Sequence, residues 1–371
     1  MFSVGRMVRC AVNCFHFILR DFGQPSQVSH ASRALVVLFE HVPFHRLENG
    51  LLSEVFERLL QPGSITGPRA NPVILIAVLQ VFAVIVSISP VHQEVKSQFK
   101  PLFDWFLSLA FPSADLKGCV DNNIRYVSIQ NLGLTAVLDT GQFLCKMSTL
   151  HPLLEEAIKS EKDQSVVIHV LRLLKTIGKC GNSMESTMDA ETEKRLLHFW
   201  LGVLKPSLID SVESRDCPVL KAALCNCIAE IGTSFAGLPT DRRMLAVTLL
   251  LRLCRDQDHR SVTAATRGLG MFVSLPTLQN DVSFLNDSAE IMLEIFHRTG
   301  DKQAHQSVIT SCTWALANLS DSLAKHHSQR EIDDVFPPYL VLELMRVAIT
   351  MAFASSNHMN VRSNSVRSLV I

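Results

Sequence analysis

Charge is scarce in this sequence. Only 19% of the 371 residues are charged, and 35 basic side chains are balanced by 35 acidic ones. A chain without net charge has no general attraction to phosphate backbones or anionic lipid, so neither nucleic acid nor membrane is an expected partner. A local basic stripe remains open. Aromatic residues are also few, at 7%, while hydrophobic residues reach 47%. Packing therefore rests on Leu, Val, Ile and Ala, in a chain long enough for two or three domains or one long array. Enzymatic signatures are missing: no GxSxG elbow, no GxxxxGK[ST] phosphate loop, no HExxH and no GxGxxG after a strand. Nothing points to an enzyme, to acid/base work or to a cofactor.

The ten cysteines include no CxxC pair. Cys225 and Cys227 would point about 200° apart on a helix. Neither zinc nor a disulfide framework is expected, and thiols inside apolar runs fit a reducing compartment, so the chain reads as intracellular, cytoplasmic or nuclear. His326 and His327 are the densest histidine pair, but adjacent residues diverge on a helix and no metal is expected there. The apolar start is interrupted by Asn13, His16 and Arg20, which fits an amphipathic first helix better than a signal peptide.

What is present is repetition. Polar turns recur, each followed by a Val or Ile that opens a helix rich in small residues: Val28, Val73, Ile124, Val166, Val219, Val262, Val308 and Val361. Differences between those positions run from 42 to 53 residues, the period of two-helix solenoid units. Longer amphipathic helices are expected before each anchor, at about 5–20, 48–60, 95–111, 143–159, 193–209, 241–255, 284–298 and 337–354. The expected fold is all-α: one α-solenoid superhelix over 1–371, built of about eight repeats at roughly 1–42, 43–90, 91–140, 141–182, 190–236, 238–276, 282–325 and 332–371. Gly178 to Glu193 reads as a long loop, with Asp189 or Thr192 capping the next helix. In the last repeat Val366, Leu369, Val370 and Ile371 would be left open, as in a truncated array. The window 72–90 is the one membrane candidate, but it is short, carries Gln80 at its centre and fits a helix buried between repeats.

The segments DCPVLKAALCNCIAEIG, DHRSVTAATRGLG and SVITSCTWALANLS resemble HEAT and armadillo repeats. That resemblance implies a scaffold or adaptor that binds other proteins or extended peptides on its concave face. The WALAN segment also resembles the peptide-binding helix of armadillo importin-alpha proteins, which carries over to Trp314 and Asn318 alone. An indole face with an amide one turn away suits an extended peptide. The same position in two other repeats holds Ala34 and Leu38, or Gly268 and Phe272, so no ladder of such pairs exists. A second candidate is a broken basic ridge on the second helices, formed by Arg33, Arg172, Arg267 and Arg367 with Arg125, Lys221 and Arg362, suited to an acidic or phosphorylated segment. The competing expectation is that these cations pair with nearby Asp residues between repeats. The function expected is a non-catalytic protein-binding scaffold; the alternatives are a nuclear-transport-receptor-like cargo binder and a membrane-associated protein using 72–90.

Overall fold

A computed structural model describes residues 28–41, 71–88, 96–116, 120–184, 188–299, 306–326, 336–354 and 357–370, with Cys10, Asn13, Cys14 and Phe17 near the start. The expected helices at 48–60 and most of 5–20 lie outside the described residues. The described chain is all-α, an α-solenoid without a strand. It forms two compact units: Met1–Leu153 with Glu161–Leu173, and Leu154–Ser160 with Leu174–Ile371.

The first unit holds α1 (Val28–His41), α2 (Pro72–Ile88), α3 (Phe99–Ala110), α4 (Asn122–Leu138) and α5 (Thr140–Cys145). Two helices run across the boundary, α6 (Met147–Ser160) and α7 (Gln164–Ser183). The second unit continues with α8 (Ala190–Val203), α9 (Pro206–Glu213), α10 (Pro218–Ile228), α11 (Ser234–Gly237), α12 (Thr240–Leu253), α13 (His259–Phe272), α14 (Val282–Thr299), α15 (Gln306–His326), α16 (Pro338–Phe353) and α17 (Met359–Arg367). Each of the eight anchor residues falls within the first turn of a helix. Local signals set several starts: Asp121 and Asp258 cap the anchor helices α4 and α13, accepting hydrogen bonds from the backbone N–H groups of Asn123 and Arg260, Pro218 opens the anchor helix α10, and Asp189 and Pro206 do the same for α8 and α9.

Two expectations are corrected. The helix expected at 193–209 breaks at Lys205, which is extended (φ −75°, ψ 133°) because the following Pro206 disfavours helical backbone before it. The long loop expected from Gly178 is instead helix to Ser183. Gly178 is there because α7 passes so close to the end of α10 that a β-carbon would lie 2.6 Å from the Glu230 carbonyl oxygen and 2.9 Å from the Trp200 ring.

The apolar window forms α2, and much of its apolar surface is core, though Val73 is exposed. Leu75, Val78, Leu79, Val81, Phe82 and Ile85 are fully buried. Phe82 meets Trp105 and Phe106 edge-on at 5.3 and 6.3 Å between ring centres, a favoured aromatic geometry. No helix among the described residues is long and apolar enough to cross a membrane.

In the second unit the second helices α10, α13, α15 and α17 stack in order as one tightly packed row, and the first helices α12, α14 and α16 form a looser one. Closer approach on one side makes the second helices the inner row. Its contact residues are small: Ser261, Ala265, Gly268, Ala315 and Ser320 are buried. On the last pair Leu342, Phe353 and Val366 are 67%, 76% and 59% exposed, so Val366 is open as expected, whereas Leu369 is half-buried.

Candidate functional site

Trp314 sits on α15, half-buried, with its ring against α13. Gly270 makes that seat. A β-carbon at 270 would come within 2.7 Å of the Trp314 ring and 2.9 Å of the Ala315 Cα, so any other residue would push the two helices apart. One turn on, Asn318 donates a hydrogen bond from Nδ2 to the Gly270 carbonyl (2.8 Å) and accepts one at Oδ1 from Arg367. Arg367 in turn donates to Asp321 at 2.9 Å. Both ends of the Asn318 amide are thus engaged within the row, where they join α13, α15 and α17. The same device recurs at the buried Asn131, whose amide donates to the Leu79 carbonyl at 2.9 Å in the first unit.

Arg267 and Trp314 line one open cleft of about 360 Å³. Thr310 and Ser311 of α15 and Asn360, Ser363 and Asn364 of α17 complete it. The cleft combines an aromatic wall, a guanidinium, hydroxyls and carboxamides, which are the groups that hold an extended peptide by its side chains and backbone.

Arg267 donates to Asn226 at 3.0 Å and to Glu230 at 3.2 Å, across the gap between α13 and the end of α10. Glu230 is almost fully buried, with 6% of its side chain exposed against 34% for Arg267. Lys221 stands between two carboxylates, Asp216 at 3.4 Å and Asp256 at 3.3 Å. Burial acts to lower its ammonium, yet the hydrogen bonds from Lys221 to Asp256 and Asp216 win and raise it above the usual lysine range. Arg33 is exposed on α1, and Arg172 is exposed on α7 beside His169, 3.3 Å away. Of the predicted basic residues, only Arg267 lies in the cleft with Trp314.

Other arginines tie helix ends together. Arg215, Arg242 and Arg298 donate to the backbone carbonyls of Ile158, Leu204 and Cys254 at 2.8, 2.9 and 2.8 Å. These carbonyls belong to the last turns of first helices or follow them directly, where positive charge complements the helix dipole.

Sequence reasoning missed two lysines. Lys175 and Lys179 lie one turn apart on α7. Lys175 is half-buried, and its ammonium is pushed below the usual lysine range first by burial and then by the positive charges of Arg267 and Lys179, with Glu230 opposing. The amides Asn360 and Asn364 were also missed, although their spacing of four on α17 was the available signal. The buried thiols carry no nucleophilic character: burial pushes Cys254 up to about 12 and Cys225, Cys227 and Cys312 well above the usual thiol range.

No protein-family profile matches the sequence. An uncharacterized Dictyostelium discoideum protein is 29% identical over 213 residues, covering 57% of this chain and 14% of the relative. Among solved structures, importin beta in a polyethylene glycol condition superposes with a TM-score of 0.60 at 11% identity, over 98% of this chain and 49% of importin beta. Importin beta in an ammonium sulfate condition gives the same TM-score over 47% of its length. The likeness places the chain among the helical-repeat solenoids as a fold. The chain spans about one-seventh of the Dictyostelium relative and about half of importin beta.

Proposed function

We propose that this chain is an intracellular, non-catalytic protein-binding scaffold, and that the inner row of its second unit receives an extended segment of a partner protein. The observation that carries this reading is the open cleft in which Trp314 and Arg267 face the amides of Asn360 and Asn364. Trp314 would hold an aliphatic or aromatic side chain. The carboxamides would pair with the backbone N–H and C=O groups of an extended chain, each of which needs a partner once water is displaced. Asn318 acts one step back by fixing the spacing of the three helices that make the cleft. The array, with the segment NVRSNSVRSLV, resembles HEAT repeat-containing protein 6, a long intracellular solenoid, which fits a scaffold without catalytic residues.

Site-specific photo-crosslinking tests the reading. A photoreactive residue at Ser363, inside the cleft, is expected to give defined adducts with partner segments. The same group at the exposed Glu290 of α14 is expected to give none of them. Equal labelling at both positions would place binding elsewhere. Substituting Trp314→Ser is expected to abolish the Ser363 adducts.

A second reading has one observation in its favour, the superposition on importin beta over nearly the whole chain. In it the cleft holds cargo during passage into the nucleus. Nuclear accumulation of a fluorescent cleft-binding segment in permeabilised cells, dependent on added chain, separates carrier from scaffold. No accumulation leaves the scaffold.

A further inference from the structure

The row of first helices in the second unit carries a groove of its own. It runs between α12 and α14 and holds about 310 Å³. Phe235, Val247, Leu278 and Phe284 make its floor, each less than a tenth exposed, while Met244 stands at its mouth, 55% exposed. A buried apolar floor beside an open, adaptable methionine suits a side chain arriving from outside. Three charged residues line the same groove: Arg243 on α12, and Asp281 and Asp287 on the side of α14. Among the described residues, Arg243 donates only to the Thr240 hydroxyl, at 3.3 Å, and its Nε is shut away from water without an acceptor. Asp281 accepts a hydrogen bond at one oxygen from the Phe284 N–H. Asp287 accepts none and joins no ion pair among the described residues. The lining thus sets two carboxylates against one guanidinium, whereas the Trp314 cleft is lined by one guanidinium and no carboxylate.

We propose that this groove is a second binding site, for a partner segment in which an aliphatic side chain stands one or two positions from a lysine or arginine. The proposal does not depend on the Trp314 cleft. Phe284 and Asp287 are three residues apart on α14, so their side chains start about 5–6 Å from each other on one face of the helix. An extended chain advances about 3.3 Å per residue. An aliphatic side chain on the floor therefore brings a base one or two positions away against Asp287, where its cation makes a charge-assisted hydrogen bond. Arg243 serves the backbone of the segment. A guanidinium has five donors, one of which is spent on Thr240, and the carbonyls of a docked segment need donors once water is displaced. An acidic segment would meet Asp281 and Asp287 instead, and like charges would repel it.

The experiment uses the full chain and arrayed peptides with a central Leu, Ile or Met and a Lys or Arg placed at varied distances from it, beside matched peptides carrying Gln or Glu in place of the base. Fluorescence anisotropy then measures the selected peptides. Peptides with the base one or two positions from the aliphatic residue are expected to bind at least about tenfold more tightly than their Gln counterparts, and the Glu counterparts not at all. Asp287→Asn is expected to bring the basic peptides down to the affinity of the Gln peptides. Met244→Ser is expected to weaken both alike. Both positions are exposed, so the fold should be kept, and circular dichroism checks it. Trp314→Ser is expected to change none of these affinities. Equal binding of basic and Gln peptides would overturn the proposal, as would a preference for the base that survives Asp287→Asn. So would loss of binding in Trp314→Ser, which would move the peptides to the other cleft, or competition by polylysine as strong as that of the selected peptide, which would reduce the preference to charge alone.

Discussion

Two lysines, one on α10 and one on α7, have opposite surroundings. Lys221 on α10 is held between Asp216 and Asp256, and those partners raise its ammonium against the effect of burial. Lys175 on α7 is also partly buried, but its neighbours are Arg267 and Lys179, and its ammonium is lowered. A cation whose partner comes from the next repeat contributes to stacking. A cation set among other cations gains no such pairing. The same division runs through the molecule: Arg367 with Asp321, Arg252 with Glu213 and Arg255 with Glu294 are of the first kind. Of the ridge read from the sequence, Arg267 and Lys221 pair with carboxylates across helices, whereas Arg33 and Arg172 are exposed.

The largest effect is expected at Arg267, which belongs to both. Arg267→Ala leaves the carboxylate of Glu230 buried and without its cation, and breaking a buried pair from one side costs about 3 kcal/mol. Chemical denaturation should show that loss, and Arg267→Ala with Glu230→Gln should recover most of it. Full loss in the double variant would mean that the packing of the guanidinium, not its charge, is what matters.

An acid-side effect follows at Glu155, where hydrogen bonds from Lys159 and Lys205 hold the carboxyl at about 2 against an ordinary 4.5, with burial opposing. The folded value lies below the unfolded one. Its contribution is therefore complete above about pH 4.5 and is lost as pH falls from there toward 2. Lys205→Met is expected to flatten the decline of Tm across that window and to lower Tm at neutral pH. An unchanged decline would show that Glu155 is not among the groups that control it.

Much of this architecture was legible before any coordinates. The anchors announce themselves because an Asp cap, a β-branched residue and a run of small residues recur at the repeat period, as at Asp258, Val262 and Ala265. The cleft was legible only in part. Trp314 and Arg267 could be named because their types and positions stand out, and the structure places them together. The destination of the Asn318 amide could not be read, since it depends on which turn of α13 lies opposite. Gly178 misled for a related reason: glycine weakens an isolated helix, yet here it is what lets α7 approach α10. Lys175 went unnoticed because a lysine on a helix usually reads as solvated, and Arg267, which lies on another helix, is brought near it only by the fold.

A smaller change is expected at Lys221. Lys221→Met removes two long, partly exposed ion pairs while keeping most of the side chain's apolar stem, so the cost should be about 0.5–1 kcal/mol. A loss beyond about 2 kcal/mol would show that Asp256 depends on this lysine as Glu230 does on Arg267.

The smallest effect on stability, and the most informative, is expected for Lys175→Gln/Lys179→Gln. Removing two cations that make no ion pair among the described residues relieves the repulsion between Lys175, Lys179 and Arg267 and shortens no apolar contact by more than a methylene or two. The denaturation midpoint should stay within about 0.5 kcal/mol of the parent or move slightly toward higher stability. Added salt tests the cause, because screening relieves the same repulsion in the parent: stability should rise with ionic strength in the parent more than in the variant. If the variant is instead clearly less stable, the two lysines belong with Lys221 as stacking residues, and the difference between the two populations collapses.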